Sequence, residues 1–308
     1  MSRKVTIIGA GNVGATTAQL IIKSGLADVM LFDVVEGLPQ GKALDLAEAC
    51  PLWNSPSVIQ GTNDYTDTAG SDVIVITAGL PRKPGVSRND LLHANANIVR
   101  SVSQEIAKTS PNSIVIVVTN PMDVMAHLVW KTTEFSCRRV IGMGGILDAS
   151  RLSAFLAWEL NVSPEDVDAL VLGGHGDDMV PLPRFTTVNG IPITELLPKR
   201  KITSLIERTR NGGAEIVSLL KAGSAYYAPA ASSFHMVKTV LLDEKRMLPC
   251  AAFLNGEYGI KDVYMGVPVI LGTDGVEKII EIKLSKDEKM QFRKSYTSVK
   301  QLLKKLNI

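Results

Sequence analysis

Gly9-Ala10-Gly11-Asn12-Val13-Gly14 stands between a short apolar run, Val5 to Ile8, and an amphipathic stretch that starts at Val13. No other feature restricts the fold as much, because it predicts a strand, a glycine turn and a helix in immediate succession. Gly9 permits the tight turn, and Gly11 lets the backbone approach a pyrophosphate. Gly14 lets helix and strand pack closely, while the unpaired N–H groups of the helix start face negative charge. A glycine turn by itself is weak evidence, since such turns are common between strands and helices. The next apolar run strengthens it by ending at Asp33, 19 residues beyond Gly14. A carboxylate there accepts hydrogen bonds from both ribose hydroxyls and repels a 2′-phosphate, which points to NAD rather than NADP. The plainer reading is a turn aspartate beside an ordinary glycine turn.

The rest of the first half repeats this alternation. Strands are predicted at 4–8, 29–32, 57–60, 72–77, 113–118 and 139–141, and helices at 13–23, 41–48, 89–108 and 122–132. Continuous apolar strands separated by helices imply a doubly wound parallel sheet covered on both faces. The second half reads differently. A helix over 149–160, with Asp148 as its N-cap, is followed by strands at 167–172 and 179–182 and by helices at 202–220 and 225–241. Strands at 246–254, 262–271 and 276–281 and a helix at 286–306 complete an α/β chain whose second part is α+β. The boundary falls near 144–148, giving a nucleotide-binding domain over 1–145 and a catalytic domain over 146–308.

The 308 residues carry a net charge of +2, too little to favour nucleic acid or an anionic membrane as partner. Cys50, Cys137 and Cys250 form no CxxC and no disulfide framework. No apolar stretch approaches the ~20 residues needed to cross a bilayer, and Val5 to Ile8 is too short for a signal-peptide core. The expectation is a cytoplasmic soluble protein.

Four polar clusters carry chemistry. In Leu80-Pro81-Arg82-Lys83-Pro84-Gly85-Val86-Ser87-Arg88, two arginines share a Pro- and Gly-punctuated loop after an apolar strand. Guanidinium forks match carboxylates, so the pair suggests an anionic substrate; a solvated basic loop is the alternative. Thr119-Asn120-Pro121 follows another apolar strand, where open α/β sheets bind ligands, although it also reads as a simple turn. Gly173-Gly174-His175-Gly176-Asp177-Asp178 holds one of only four histidines in an approachable loop. Imidazole suits a general base near neutral pH. A metal site from His175, Asp177 and Asp178 is disfavoured because no second His or Cys stands at ligand spacing. Asp148 and Arg151 lie three apart on one helix face, either as a surface ion pair or as an orienting carboxylate and a carboxylate-gripping cation.

Taken together, GAGNVG at 9–14, LFDVVEGLPQGKALD at 31–45, AGLPRKPGVSR at 78–88, VTNPMD at 118–123, LDASR at 147–151, GGHGD at 173–177 and RTRNGGAEIV at 208–217 resemble the malate dehydrogenases of the lactate-dehydrogenase-like group. The resemblance covers essentially the whole chain. It implies a Rossmann domain followed by a catalytic α+β domain, NAD as cofactor, malate and oxaloacetate as substrates, and a homodimer or homotetramer. By resemblance, His175 is the proton acceptor and Asp148 its partner. Arg151 holds the C1 carboxylate, Arg88 polarises the reacting oxygen and Arg82 binds the second carboxylate. Asn120 contacts substrate and cofactor. Asn95 and Val118, with Gly9, Gly11, Asn12, Val13, Gly14 and Asp33, border the cofactor. Two departures from the family pattern stand out: Asp178 after GGHGD, and the order Ala149-Ser150. A lactate or other 2-hydroxy-acid dehydrogenase shares this set except at position 82. A nucleotide-binding regulator would need none of His175, Asp148, Arg88 and Arg151.

Asp33 generates a direct test. A 2′-phosphate beside its carboxylate should cost about 1–3 kcal/mol, roughly ten- to hundredfold or more in efficiency. NADH should therefore outperform NADPH by at least that ratio in kcat/KM, and equal efficiencies would remove Asp33 from the role.

Overall fold

The computed structural model describes residues 3–80, 88–221 and 223–308, without the side chain of Arg88. The first half runs β1 (Lys4–Ile8), α1 (Asn12–Lys23), β2 (Asp28–Phe32), α2 (Leu38–Trp53), β3 (Ile59–Thr62), β4 (Val73–Ile76) and α3 (Arg88–Thr109). It continues with β5 (Ile114–Val117), α4 (Met122–Thr133), β6 (Val140–Gly142) and α5 (Gly144–Leu160). The four residues of β4 and of β5 are buried throughout, as continuous Val/Ile strands of a covered parallel sheet must be.

Strand order in this part is β3-β2-β1-β4-β5-β6, all parallel. The chain runs outward from β1 to β3, then crosses back to β4 on the other side of β1. The β1 and β4 ends therefore open at the point where the winding reverses, which is where such sheets bind ligands. α3 packs against α4.

The second half comprises β7 (Val167–Asp168), β8 (Val171–Gly173), β9 (Met179–Pro181), β10 (Thr187–Val188), β11 (Ile191–Pro192), α6 (Ile193–Leu196), α7 (Lys199–Leu220) and α8 (Tyr227–Leu241). It closes with β12 (Arg246–Asn255), β13 (Lys261–Gly272), β14 (Gly275–Ile279) and α9 (Lys286–Lys305). Its strands do not build a wholly separate sheet. β12 pairs antiparallel with β6 through Ala251 and Gly142, and β13, β8 and β9 follow in order. Only β7, β10 and β11 form a small second sheet. A single hydrophobic core accordingly extends from Val5 in β1 to Leu303 in α9, with a smaller cluster of Leu152, Leu156, Val171 and Leu205 between α5 and α7.

Three sequence expectations need correction. The helix expected over 41–48 spans Leu38–Trp53, because Pro39 fits a helix's first turn and the chain stays helical past Pro51 until Asn54 adopts a left-handed conformation. The strand expected over 167–172 breaks into β7 and β8, each with a different partner. The helix expected to start after Asp148 begins at Gly144. Its glycine-rich start packs against β12, and that close approach overrides the poor helix propensity of glycine. Asp148 is therefore no cap but stands in the second turn.

Gly14 tests the close packing of α1 on its strand. A Cβ there would overlap the Gly9 carbonyl oxygen and stand 2.9 Å from Thr77 Oγ1, both of them firmly placed atoms. Gly14→Ala should cost about 1–3 kcal/mol, lowering Tm by several degrees, and weaken NADH binding. Gly41→Ala, in an exposed part of α2 with no neighbour within 4 Å, should leave both unchanged or raise Tm slightly. Equal behaviour of the two variants would rule out the packing account.

Candidate active site

Gly9 turns the chain at the end of β1 with φ +110°, a conformation that disfavours every side chain. The following residue is held from two sides. Ala10 N donates to Asp33 Oδ2 at 2.7 Å, and Lys42 Nζ from α2 donates to Ala10 O at 2.8 Å. The other oxygen of Asp33 accepts from Val35 N at 3.0 Å. Each carboxylate oxygen keeps a lone pair for a ribose hydroxyl. Beyond the turn, α1 starts with no side-chain cap and no acidic residue in its first turn. A Cβ at Gly11 would meet nothing within 4 Å, so the helix start is open to an approaching anion. Gly11 and Asn12 are exposed and Val13 half-buried. These residues fit a dinucleotide whose pyrophosphate sits on the helix start and whose adenosine ribose faces Asp33.

At the ends of β4 and β5, two loops are tied together. Thr119 Oγ1 donates to Ala78 O at 2.7 Å. Asn95, buried on α3, accepts from Leu80 N at 2.7 Å and donates to Asn120 O at 2.8 Å. Its amide thus braces the site mouth while Asn120 stays exposed and Val118 half-buried. Arg82 lies outside the described residues. Arg88 opens α3, with its side chain outside the description.

His175 follows β8 in the loop leading to β9. Its Nδ1 lies 2.8 Å from Asp148 Oδ2, with side chains 12% and 1% exposed. A carboxylate on Nδ1 leaves Nε2 as the ring nitrogen available to a further partner. Burial opposes the imidazolium, but the charge and hydrogen bond of Asp148, with a further contribution from Asp123, outweigh it and raise the His175 pKa. One turn on along α5, Arg151 Nη1 lies 3.6 Å from Asp148 Oδ1 and its side chain is 13% exposed. This pair is therefore not a surface ion pair. Arg151 Nε is buried with no hydrogen-bond partner. Gly212 of α7 passes beside this side chain, where a Cβ would stand 3.4 Å from Arg151 Cδ. Asp178 directs Oδ1 to the hydroxyl of Ser298 on α9 at 3.3 Å. Among the described residues, no group of three His, Cys, Asp or Glu side chains is placed to hold a metal ion.

Sequence reasoning passed over Lys42, Gly212 and Asp123, whose Oδ2 accepts from His175 N at 2.8 Å. Lys42, Asp123 and Gly212 all lay within the family-like motifs, but nothing in their spacing announces a contact. An aspartate in a helix's first turn reads as an ordinary complement to the helix dipole.

A dinucleotide-binding sheet with a carboxylate-backed histidine at its rim is the framework of an NAD-dependent oxidoreductase. Residues 3–142 match the family model of the lactate/malate dehydrogenase NAD-binding domain and residues 146–307 that of the lactate/malate dehydrogenase α/β C-terminal domain, so the chain belongs to this family. A malate dehydrogenase from Thermomicrobium roseum is 56% identical over 303 residues, covering 98% of each chain. The solved malate dehydrogenase of Cryptosporidium parvum superposes with a TM-score of 0.97 at 44% identity, covering 100% of this chain and 99% of that one. A lactate dehydrogenase from the same organism, solved with lactic acid and β-nicotinamide adenine dinucleotide, gives 0.97 at 42% identity over 100% and 98%.

The raised His175 pKa fixes the sign of the pH dependence. Carbonyl reduction needs the imidazolium, so it should persist above the ordinary value of 6.5 and fall as pH rises through the raised value. Alcohol oxidation needs the neutral ring and should fall as pH drops through that same value. His175→Asn should lower turnover by roughly 10³-fold or more and leave NADH binding largely intact. Near-parental turnover in that variant would mean that another group is the base.

Proposed function

We propose that the chain interconverts (S)-malate and oxaloacetate with NAD, as a malate dehydrogenase. The observation that carries its 2-hydroxy-acid chemistry is the half-buried Arg151 guanidinium, and the choice of malate rests on the malate dehydrogenase relatives. The Arg151 Nε has no partner, and the guanidinium stands beside the Asp148–His175 pair. A half-buried cation with an unfilled buried donor suits an anion, and a substrate carboxylate supplies a planar match. The malate dehydrogenase of Thermomicrobium roseum, at 56% identity over nearly the whole length, supports the same choice.

In this reading residues 1–145 bind the dinucleotide and residues 146–308 carry the proton-handling machinery. NAD, when bound, supplies the hydride acceptor and, in reverse, the donor. Arg151 grips the C1 carboxylate and so presents the C2 hydroxyl to His175. Nε2 takes the hydroxyl proton as the carbonyl forms and returns it in reduction. Asp148 keeps the proton on Nδ1 and stabilises the imidazolium. Arg88 polarises the C2 oxygen, Asn120 contacts substrate and cofactor, and Arg82 pairs with the C4 carboxylate. Asn95 serves the cofactor side by holding Asn120 and Leu80 in place, and Val118 lines the nicotinamide.

The protein acts in the cytoplasm, a reading supported by three free cysteines. It acts there as a homodimer or homotetramer, which the exposed Leu44 and Leu52 on α2 support; a light-scattering mass distinguishes the two. No helix among the described residues is long and apolar enough to cross a membrane.

Lactate dehydrogenase activity would use the same His175, Asp148 and Arg151, so position 82 decides. With pyruvate, Arg82 would face a methyl group and remain an unpaired charge in an enclosed site. Losing one side of a desolvated pair costs about 2–5 kcal/mol, so kcat/KM for oxaloacetate should exceed that for pyruvate by roughly 10²–10⁴. Arg82→Gln should lower the first and raise the second, with Lys83 blunting the switch. An unchanged ratio would locate specificity elsewhere.

A further inference from the structure

Among the described residues, only Asp123 and Asp148 are buried carboxylates, and both hold His175. They hold it differently. Asp148, on α5, takes the ring at Nδ1. Asp123, in the first turn of α4, takes the main-chain N–H through Oδ2 at 2.8 Å. Its other oxygen is buried with no partner. The neighbouring Gly174 N–H donates to Ser295 Oγ of α9 at 2.7 Å. β8 ends at Gly173, so these two consecutive N–H groups are satisfied by side chains from two helices rather than by a sheet ladder. Asp123 also lies three residues beyond Asn120, and so joins the Asn120 turn to the histidine.

We infer that Asp123 is a positioning residue for His175: it fixes the loop peptide relative to the Asn120 turn and sets a second negative charge against the imidazolium. The inference rests on the reading of His175 as the base. A buried carboxylate with one unfilled oxygen is costly if its only task is to accept one N–H, since a neutral asparagine would do the same. The charge is the part an asparagine lacks. Burial pushes the Asp123 carboxyl up to about 6, opposed by the His175 N–H and by the charge of His175. The His175 N–H and the imidazolium charge are thus what favour its ionised form against burial.

The groups around this pair are few. α5 contributes Asp148 and Arg151. α4 contributes His127 one turn beyond Asp123, kept neutral by burial that lowers it to about 4. α9 contributes the hydroxyls of Ser295 and Ser298, the latter on Asp178. Asp177 and Asp178 follow His175 in its own loop. Removing the Asp123 charge thus leaves Asp148 as the carboxylate in contact with His175 that favours the imidazolium against Arg151 and burial. The His175 pKa must fall.

The test compares the full-length parent with Asp123→Asn, Asp123→Ala and His175→Asn. It measures kcat and KM for oxaloacetate across pH, NADH affinity, and the NMR titration of the histidine ring that disappears in His175→Asn. Asp123→Asn keeps an oxygen for the His175 N–H. It should retain kcat within about threefold at low pH, while the pH at which reduction is lost and the ring titration midpoint both move down by roughly half a unit to one unit. Asp123→Ala loses the oxygen as well and should drop kcat about tenfold or more, with NADH affinity retained. If Asp123→Ala does not fold, the pH shift of Asp123→Asn still decides. An unshifted midpoint in Asp123→Asn would overturn the inference, as would parental kcat in Asp123→Ala. If His175→Asn retained turnover, the reading of the base itself would fall; if His175→Asn is inactive and Asp123→Asn unshifted, only the role of Asp123 falls.

Discussion

The contact between Asp148 and His175 is the constraint around which the rest of the molecule is arranged. A carboxylate that is 1% exposed is tolerable only with a close, chargeable partner. Breaking such a buried pair by removing one member typically costs about 3–5 kcal/mol, a large share of the stability of an ordinary domain. The pair therefore serves two ends. It gives Asp148 a partner, and it turns the imidazole so that one nitrogen is committed and the other is free for chemistry. Arg151 adds a counter-charge to Asp148 on the far side from the histidine, with a donor still unfilled. In the reading proposed above, that donor serves the substrate carboxylate.

The pair faces the nucleotide-binding strands only if the two halves of the chain are held in fixed relation, and the sheet does this. The parallel strands that present the glycine turn run without interruption into β12, β13, β8 and β9. The histidine loop leaves the end of β8, so its position is registered against the nucleotide-binding strands through a ladder of backbone hydrogen bonds. Helices add cross-ties at the loop itself: Asp123 from α4, Ser295 from α9, and the Asp148–Arg151 face of α5 set into the passage beside Gly212 of α7. A packed core shared by both halves transmits strain rather than absorbing it, so small displacements at this seam reach the Asp148–His175 pair.

The same framework is indifferent to which 2-hydroxy acid it serves. A malate and a lactate dehydrogenase from Cryptosporidium parvum superpose on this chain equally well, at 0.97, with 44% and 42% identity. Backbone geometry therefore cannot separate the two chemistries. In the reading proposed above, what separates them is the side chain at position 82, which meets either a C4 carboxylate or a methyl group. That reading leaves proton handling to the packed interior and specificity to position 82.

Much of this was legible in the sequence, for reasons of range. The strands β1, β4 and β5 announced themselves as short Val/Ile runs, and the glycine turn, Asp33 and the glycine-flanked His175 stood within windows of a few residues whose meaning is local. The order of strands and helices followed from periodicity. Tertiary structure alone decided the rest. Asp148 read as a helix cap because polar residues start helices, and only packing on β12 carried the helix back to Gly144 and turned that carboxylate inward. His175 meets Asp148 across 27 residues of chain, Asp123 across 52, and its neighbour Gly174 meets Ser295 across 121. No spacing rule spans such separations, because the partners are brought together by the burial of a shared core and not by the conformation of the segment between them.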